Sequence, residues 1–146
     1  MILRRLLLAL AAATGLHGAP ATAAEAFPAK PLKIVVPYVP GGTSEFLARM
    51  LAKKMTDILG QQVLIDNIGG AGGTLGTATV ARAAPDGYTM LFGYNSGLTI
   101  APGLYPKLQY DPITSFTPIG TVARFYFIIT AHSSVQANTL QELVTF

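Results

Sequence analysis

Two rhythms of apolar positions alternate along the middle of the chain. Residues 32–36 (LKIVV) form a β-branched run that reads as a buried strand. It breaks at Pro37-Tyr38-Val39-Pro40-Gly41-Gly42, where two prolines and two glycines exclude regular structure. Beyond them Phe46, Leu47, Met50, Leu51, Met55, Ile58 and Leu59 recur at three- and four-residue spacings, the stripe of an amphipathic helix. Arg49, Lys53, Lys54 and Asp57 take the other face. Thr43 or Ser44 is placed to cap this helix, Glu45 suits its positive end, and Gly60 is a natural stop. The rhythm then repeats. Residues 62–66 (QVLID) read as a second strand and 67–73 as a glycine-rich loop. A small-residue helix follows from about Thr74 to Ala84, then the turn Pro85-Asp86-Gly87. Residues 88–93 (YTMLFG) read as a third strand. This alternation predicts an α/β layer on a parallel sheet with right-handed crossovers.

The texture changes after Tyr94. Asn95-Ser96-Gly97 is a loop, and residues 98–104 suggest a short helix broken by Pro102. Residues 105–118 are irregular and carry three prolines. Residues 119–122 and 125–130 (FYFIIT) predict two further strands. Thr139-Leu140-Gln141-Glu142 fits a capping box, so a helix opens there, only four residues before Phe146. A helix that short has little reason to stop, and the expectation is a fragment cut inside a second domain.

Composition changes this picture chiefly at the N-terminus. Arg4 and Arg5 precede a compact apolar run at residues 6–13 (LLLALAAA), and Ala21-Thr22-Ala23 is an A-x-A cleavage pattern. Residues 1–23 therefore read as a secretory signal peptide, with cleavage after Ala26 as a second option; the apolar run is too short to span a bilayer. The mature protein is then exported and soluble. What remains carries eight basic and seven acidic residues, with no basic stripe, so no nucleic-acid partner is expected. The absence of cysteine rules out a disulfide framework and a thiolate metal site.

Candidate chemistry sits in the loops. Loop 37–45 leaves the carboxyl end of the first strand and enters a helix N-terminus, where ligands of open α/β sheets bind and unpaired N–H groups suit an anion. Gly41 and Gly42 allow a ligand to approach the backbone, and Thr43 and Ser44 add hydroxyl donors. Loop 67–76 (NIGGAGGTLG) fails the dinucleotide spacing, because Leu75 stands where the third glycine belongs, and its glycines are read as packing devices. Gly93-Tyr94-Asn95-Ser96-Gly97 places the serine one position late for a nucleophile elbow. His132 is the single histidine downstream of the leader, so Ser96 reads as a hydrogen-bond donor. A secreted α/β hydrolase using Ser96 and His132 is the alternative, and it needs an acid partner and an oxyanion hole that no motif supplies. No carboxylate pair, P-loop or histidine cluster is present. No catalytic residue, cofactor or metal is expected.

Taken in order, the segments KPLKIVVPYVPGG with EFLAR, QQVLIDNIGGAGGTLGT, APDGYTMLFGYNS and LYPKLQYDPITSFTPIG resemble the Bug-type receptors. These are the extracytoplasmic solute-binding proteins of tripartite tricarboxylate transporters. The resemblance implies a two-domain type II periplasmic binding-protein (Venus-flytrap) fold, of which only the first part is present. It divides the chain into the signal peptide (1–23), the first part of domain I (24–98) and a truncated start of domain II (99–146). It also implies a monomeric receptor, located in the periplasm, that captures a small carboxylate and is read by membrane transporter subunits. Carried over by position, the ligand-binding residues are Tyr38, Gly42, Thr43, Ser44, Glu45, Asn95 and Ser96, with Asn67 and Gly72 as weaker candidates. Three departures stand out: Glu45 where aspartate is usual, Ile68-Gly69 in place of a basic-proline pair, and Val39 in place of one loop proline.

Overall fold

The computed structural model describes residues 26–145. The expected leader, 1–23, lies outside the described residues. The described residues divide into two compact units, the first ending at Phe116 and the second beginning at Thr117.

In the first unit the β-branched run becomes strand β1 (Leu32–Val36). Strands β2 (Val63–Asn67) and β3 (Thr89–Leu91) pair with it in parallel on opposite sides, giving the order β2-β1-β3. A strand paired on both edges and covered on both faces must be apolar almost throughout. That is why LKIVV has a single polar residue, Lys33, which is exposed. Leu32, Ile34 and Val36 meet Ala48, Ala52, Val63 and Phe92 in the core, while Val35, one residue out of phase, faces the other layer.

Helix α1 (Thr43–Leu59) covers the first face and ends at Gly60, whose φ of 67° supplies the left-handed C-cap. Its buried stripe differs from the expected one. Ala48 and Ala52 lie at its centre, flanked by Leu47, Leu51, Met55 and Leu59, whereas Phe46, Met50 and Ile58 stay exposed. Two alanines bring the helix axis close to the sheet, and the larger side chains flank that contact. The cap also differs: Gly42 is the N-cap with no side-chain bond, and Thr43 and Ser44 are the first two helical residues.

Helix α2 (Thr74–Ala81) packs on β1 and β3 and stops three residues short of expectation. A Cβ at its Gly76 would lie 2.5 Å from the Ile68 carbonyl oxygen and 2.8 Å from Pro37 Cα. This contact explains the glycine: the helix backbone rests directly on the loop leaving β1. The predicted helix at 98–104 is a π-helical turn (Ser96–Ile100) running into α3 (Ala101–Leu104). Pro102 falls in the first turn of α3, where no donor is needed, so it breaks nothing.

In the second unit, helix α4 (Leu140–Thr145) carries the expected capping box. The Glu142 N–H donates to Thr139 Oγ1 (3.2 Å), and the Asn138 N–H donates to the Glu142 carboxylate (2.7 Å). The strands expected at 119–122 and 125–130 are absent. A strand exists through its ladder, and among the described residues no segment pairs with these two. No helix among the described residues is long and apolar enough to cross a membrane.

Candidate functional site

The order β2-β1-β3 makes the carboxyl end of β1 a switch point: chain leaving β1 feeds a partner on one side, and β3 lies on the other. Crevices form at such points. Here the loops after all three strands gather. The Tyr38 and Ser96 hydroxyls are hydrogen-bonded across it. The Tyr38 ring meets Tyr94 edge-on, with centroids 5.5 Å apart. Asn67 Nδ2 donates to the Tyr38 carbonyl at 3.2 Å. A Cβ on Gly73 would lie 3.3 Å from the Pro37 carbonyl oxygen and 3.7 Å from Ser96 Oγ. Tyr38, Asn67, Gly73 and Ser96 are thus brought together.

The glycine loop bends into this cluster through four successive positive φ values: Gly70 126°, Ala71 46°, Gly72 63° and Gly73 91°. Only glycine adopts such angles freely, and Ala71 holds one at a cost of about 1 kcal/mol. Gly72, the weaker sequence candidate, lies beside Tyr105, whose hydroxyl would be 3.6 Å from an added Cβ.

The start of α1 supplies a second set of donors. The Phe46 N–H is bonded to the Gly42 carbonyl (3.2 Å), which leaves the N–H groups of Thr43, Ser44 and Glu45 without intrahelical partners. The Thr43 and Ser44 hydroxyls make no hydrogen bond among the described residues, and Thr43 is exposed. Asn95, also exposed, is the N-cap of the π-helical turn and makes no side-chain cap bond. Among the described residues, none of Gly42, Thr43 and Ser44 bonds to Asn95 or Ser96.

Glu45 behaves differently from its neighbours. Only 8% exposed, it accepts the Gly41 N–H on Oε2 (2.6 Å) and the Arg49 guanidinium on Oε1 (2.7 Å from Nε). The Gly41 N–H bond, then the hydrogen bond and charge of Arg49, hold its carboxyl below the ordinary value against the opposing effect of burial. Both oxygens are committed to closing the helix start, one residue beyond the usual capping-box reach. Chemically, the site offers hydroxyls and backbone N–H groups to an oxyanion. Ser96 is partnered by Tyr38, and His132 Nδ1 by Ser134 Oγ (2.9 Å). No group of three or more metal-ligating side chains exists among the described residues.

Thr77, Gly97 and Tyr110 back the cluster; none was among the expected site residues, and Tyr110, a possible cleft-lining aromatic, reads from the sequence as core or hinge packing. Thr77 Oγ1 donates to the Gly73 carbonyl (2.8 Å), and the Tyr110 hydroxyl donates to the Gly97 carbonyl. Thr77 sits in a small-residue helix without periodicity, and Tyr110 among scattered aromatics, so neither carried a signal.

Residues 47–146 match the model of the tripartite tricarboxylate transporter family receptors. A UPF0065 protein of Agrobacterium vitis is 42% identical over 124 residues, 85% of this chain and 36% of that protein. The structure of the periplasmic binding protein BugD is similar with 47% identity and a TM-score of 0.59, over 64% of this chain and 31% of BugD. MatC from Rhodopseudomonas palustris, solved with bound malate, is similar with 43% identity and a TM-score of 0.60, over 63% of this chain and 31% of MatC. The fold is therefore α/β of the periplasmic binding-protein kind, and the chain spans a little over a third of the length of its curated relative.

Proposed function

Because this chain belongs to the tripartite tricarboxylate transporter receptor family, we propose that it captures a small organic carboxylate in the periplasm for the membrane subunits of such a transporter. The observation that carries this reading is the switch-point cluster. The Tyr38–Ser96 hydroxyl pair joins the loops after β1 and β3, and α1 begins in the same β1 loop with three unpaired N–H groups and two free hydroxyls. Such donors suit an oxyanion, and the partial positive charge of the helix end adds to them. Candidate ligands are dicarboxylates, tricarboxylates, aromatic acids and acidic amino acids; malate bound to the similar MatC supports the class.

In this reading residues 1–23 are a removable leader, residues 24–98 begin domain I, and residues 99–146 open domain II. The receptor works as a monomer without catalysis or cofactor, and Tyr38, Gly42, Thr43, Ser44, Asn95 and Ser96 hold the carboxylate. Glu45 serves as the clamp of the α1 start, and Asn67 and Gly72 shape the cleft wall.

The test is calorimetry on the whole protein with malate, citrate, benzoate and glutamate. Ser96→Ala removes a hydrogen bond to a charged group, a loss of roughly 1.5–3 kcal/mol, so affinity falls by about tenfold or more. Gly42→Val is a cleaner probe than its chemistry suggests. Its φ is −91° and an added Cβ meets nothing within 4 Å, so the variant folds while its side chain fills the space before the helix end. Unchanged affinity in both variants places the carboxylate elsewhere.

A further inference from the structure

We infer that Thr77 and Tyr110 are positioning residues: a buried latch that sets the Ser96 hydroxyl and the Gly73 turn, and through them the affinity of the site. The inference rests on the carboxylate reading of that site and goes beyond its contact residues.

Thr77 is 1% exposed and Tyr110 8% exposed, and both spend their hydroxyls on backbone carbonyls of the site loops. Thr77 Oγ1 donates to the Gly73 carbonyl and Tyr110 to the Gly97 carbonyl. The two bonds converge. A Cβ on Gly97 would stand 2.8 Å from Thr77 Oγ1, and 3.7 Å from both the Gly73 carbonyl oxygen and the Tyr110 hydroxyl. Gly97 directly follows Ser96, and Gly73 packs against Ser96 Oγ and the Pro37 carbonyl. Thus the Gly97–Leu98 peptide, one residue beyond Ser96, is clamped from behind by Tyr110, and the turn facing Ser96 is clamped by Thr77.

The latch has a physical reason to matter for binding. Of the two segments it holds, one contains four successive positive φ values and the other is a single π-helical turn. Left free, such segments sample several conformations, and each bond to a ligand must then offset their ordering. Buried hydroxyl-to-carbonyl bonds remove that freedom in advance. Burial also raises the Tyr110 pKa, against the opposing effect of a hydrogen bond with Thr77.

A double-mutant cycle with malate, citrate, benzoate and glutamate as calorimetric probes distinguishes this role from mere stability. Tyr110→Phe keeps the ring and deletes the donor. In the Ser96 background it lowers affinity by about tenfold, and in the Ser96→Ala background by less than about twofold, because the group it positions is gone. Thr77→Val weakens binding similarly, and Thr77→Ser restores it. Equal Tyr110→Phe losses in both backgrounds, or no loss in either, overturns the latch alone. Unchanged affinity in Ser96→Ala with a loss in Gly42→Val likewise overturns the latch alone, whereas failure of all four probes to bind, or unchanged affinity in both variants, overturns the carboxylate reading and the latch with it.

Discussion

The two β-branched runs LKIVV and FYFIIT share the propensity for a strand, and only one becomes a strand. Residues 32–36 lie between β2 and β3, with a helix layer on each face, and Ile34 is 2% exposed. Residues 125–130 belong to no strand ladder among the described residues, and Ile128 is 82% exposed. The difference lies in partners. Apolar composition makes a run able to be a core strand, but the ladder and the packed faces make it one.

The largest effects should come where the first region is tightest. Gly76→Ala drives a Cβ to 2.5 Å from the Ile68 carbonyl oxygen and 2.8 Å from Pro37 Cα, both backbone atoms that cannot swing away. The helix must lift from the β1 loop, and we expect a loss of about 3 kcal/mol or more, the upper range for overpacking. Ile34→Ala leaves a cavity between β1 and α1 and costs roughly 2–5 kcal/mol. Urea denaturation measures both. A loss below about 1 kcal/mol for either would mean that α2 or α1 sits less closely on the sheet than described.

Legibility in the sequence follows the same division. β1 was readable to the residue because its partners were also legible: β2 and β3 are short apolar runs bounded by turn signals. Helix α1 was readable in extent but not in face. Periodicity marks where large apolar residues recur, and the close approach of Ala48 and Ala52 leaves Phe46 and Met50 outside the core. Ser96 was legible as a donor because it follows a strand end, Tyr38 entered only through the family resemblance, and their contact depends on a strand order no single segment reveals. Thr77 and Tyr110 were not legible, since a buried hydroxyl bonded to a backbone carbonyl leaves no spacing pattern. The strands expected at 119–122 and 125–130 were misread for want of a ladder partner.

A smaller effect concerns the acid limb of stability. The Glu45 carboxyl is held below its ordinary value near 4.5 by the Gly41 N–H and then by Arg49. A depressed carboxyl contributes stability that is fully present above its unfolded value and is lost as pH falls through the folded one. Glu45→Gln should therefore flatten the fall in stability below about pH 4.5, with less change at neutral pH than the Ile34 variant shows. Chemical denaturation across pH 3–7 checks it. Parallel acid limbs in the two proteins would mean that the α1 start is closed by other groups.

The smallest effect is expected in the second region, and it is the one that bears most directly on the comparison. Ile128→Ala deletes the same atoms as Ile34→Ala. Ile128, however, is exposed and unpaired, so folding moves little of its surface out of water and no cavity is left when it is cut back. The cost in this 146-residue chain should stay within about 0.5 kcal/mol, the range of ordinary surface substitutions. Measured beside Ile34→Ala under the same urea titration, the pair isolates the value of partners at constant side-chain chemistry. A loss near that of Ile34 would show that residues 125–130 are buried in solution, against a second copy or another polypeptide. Repeating the titration at several protein concentrations separates these, because burial by a second copy makes the Ile128 effect grow with concentration.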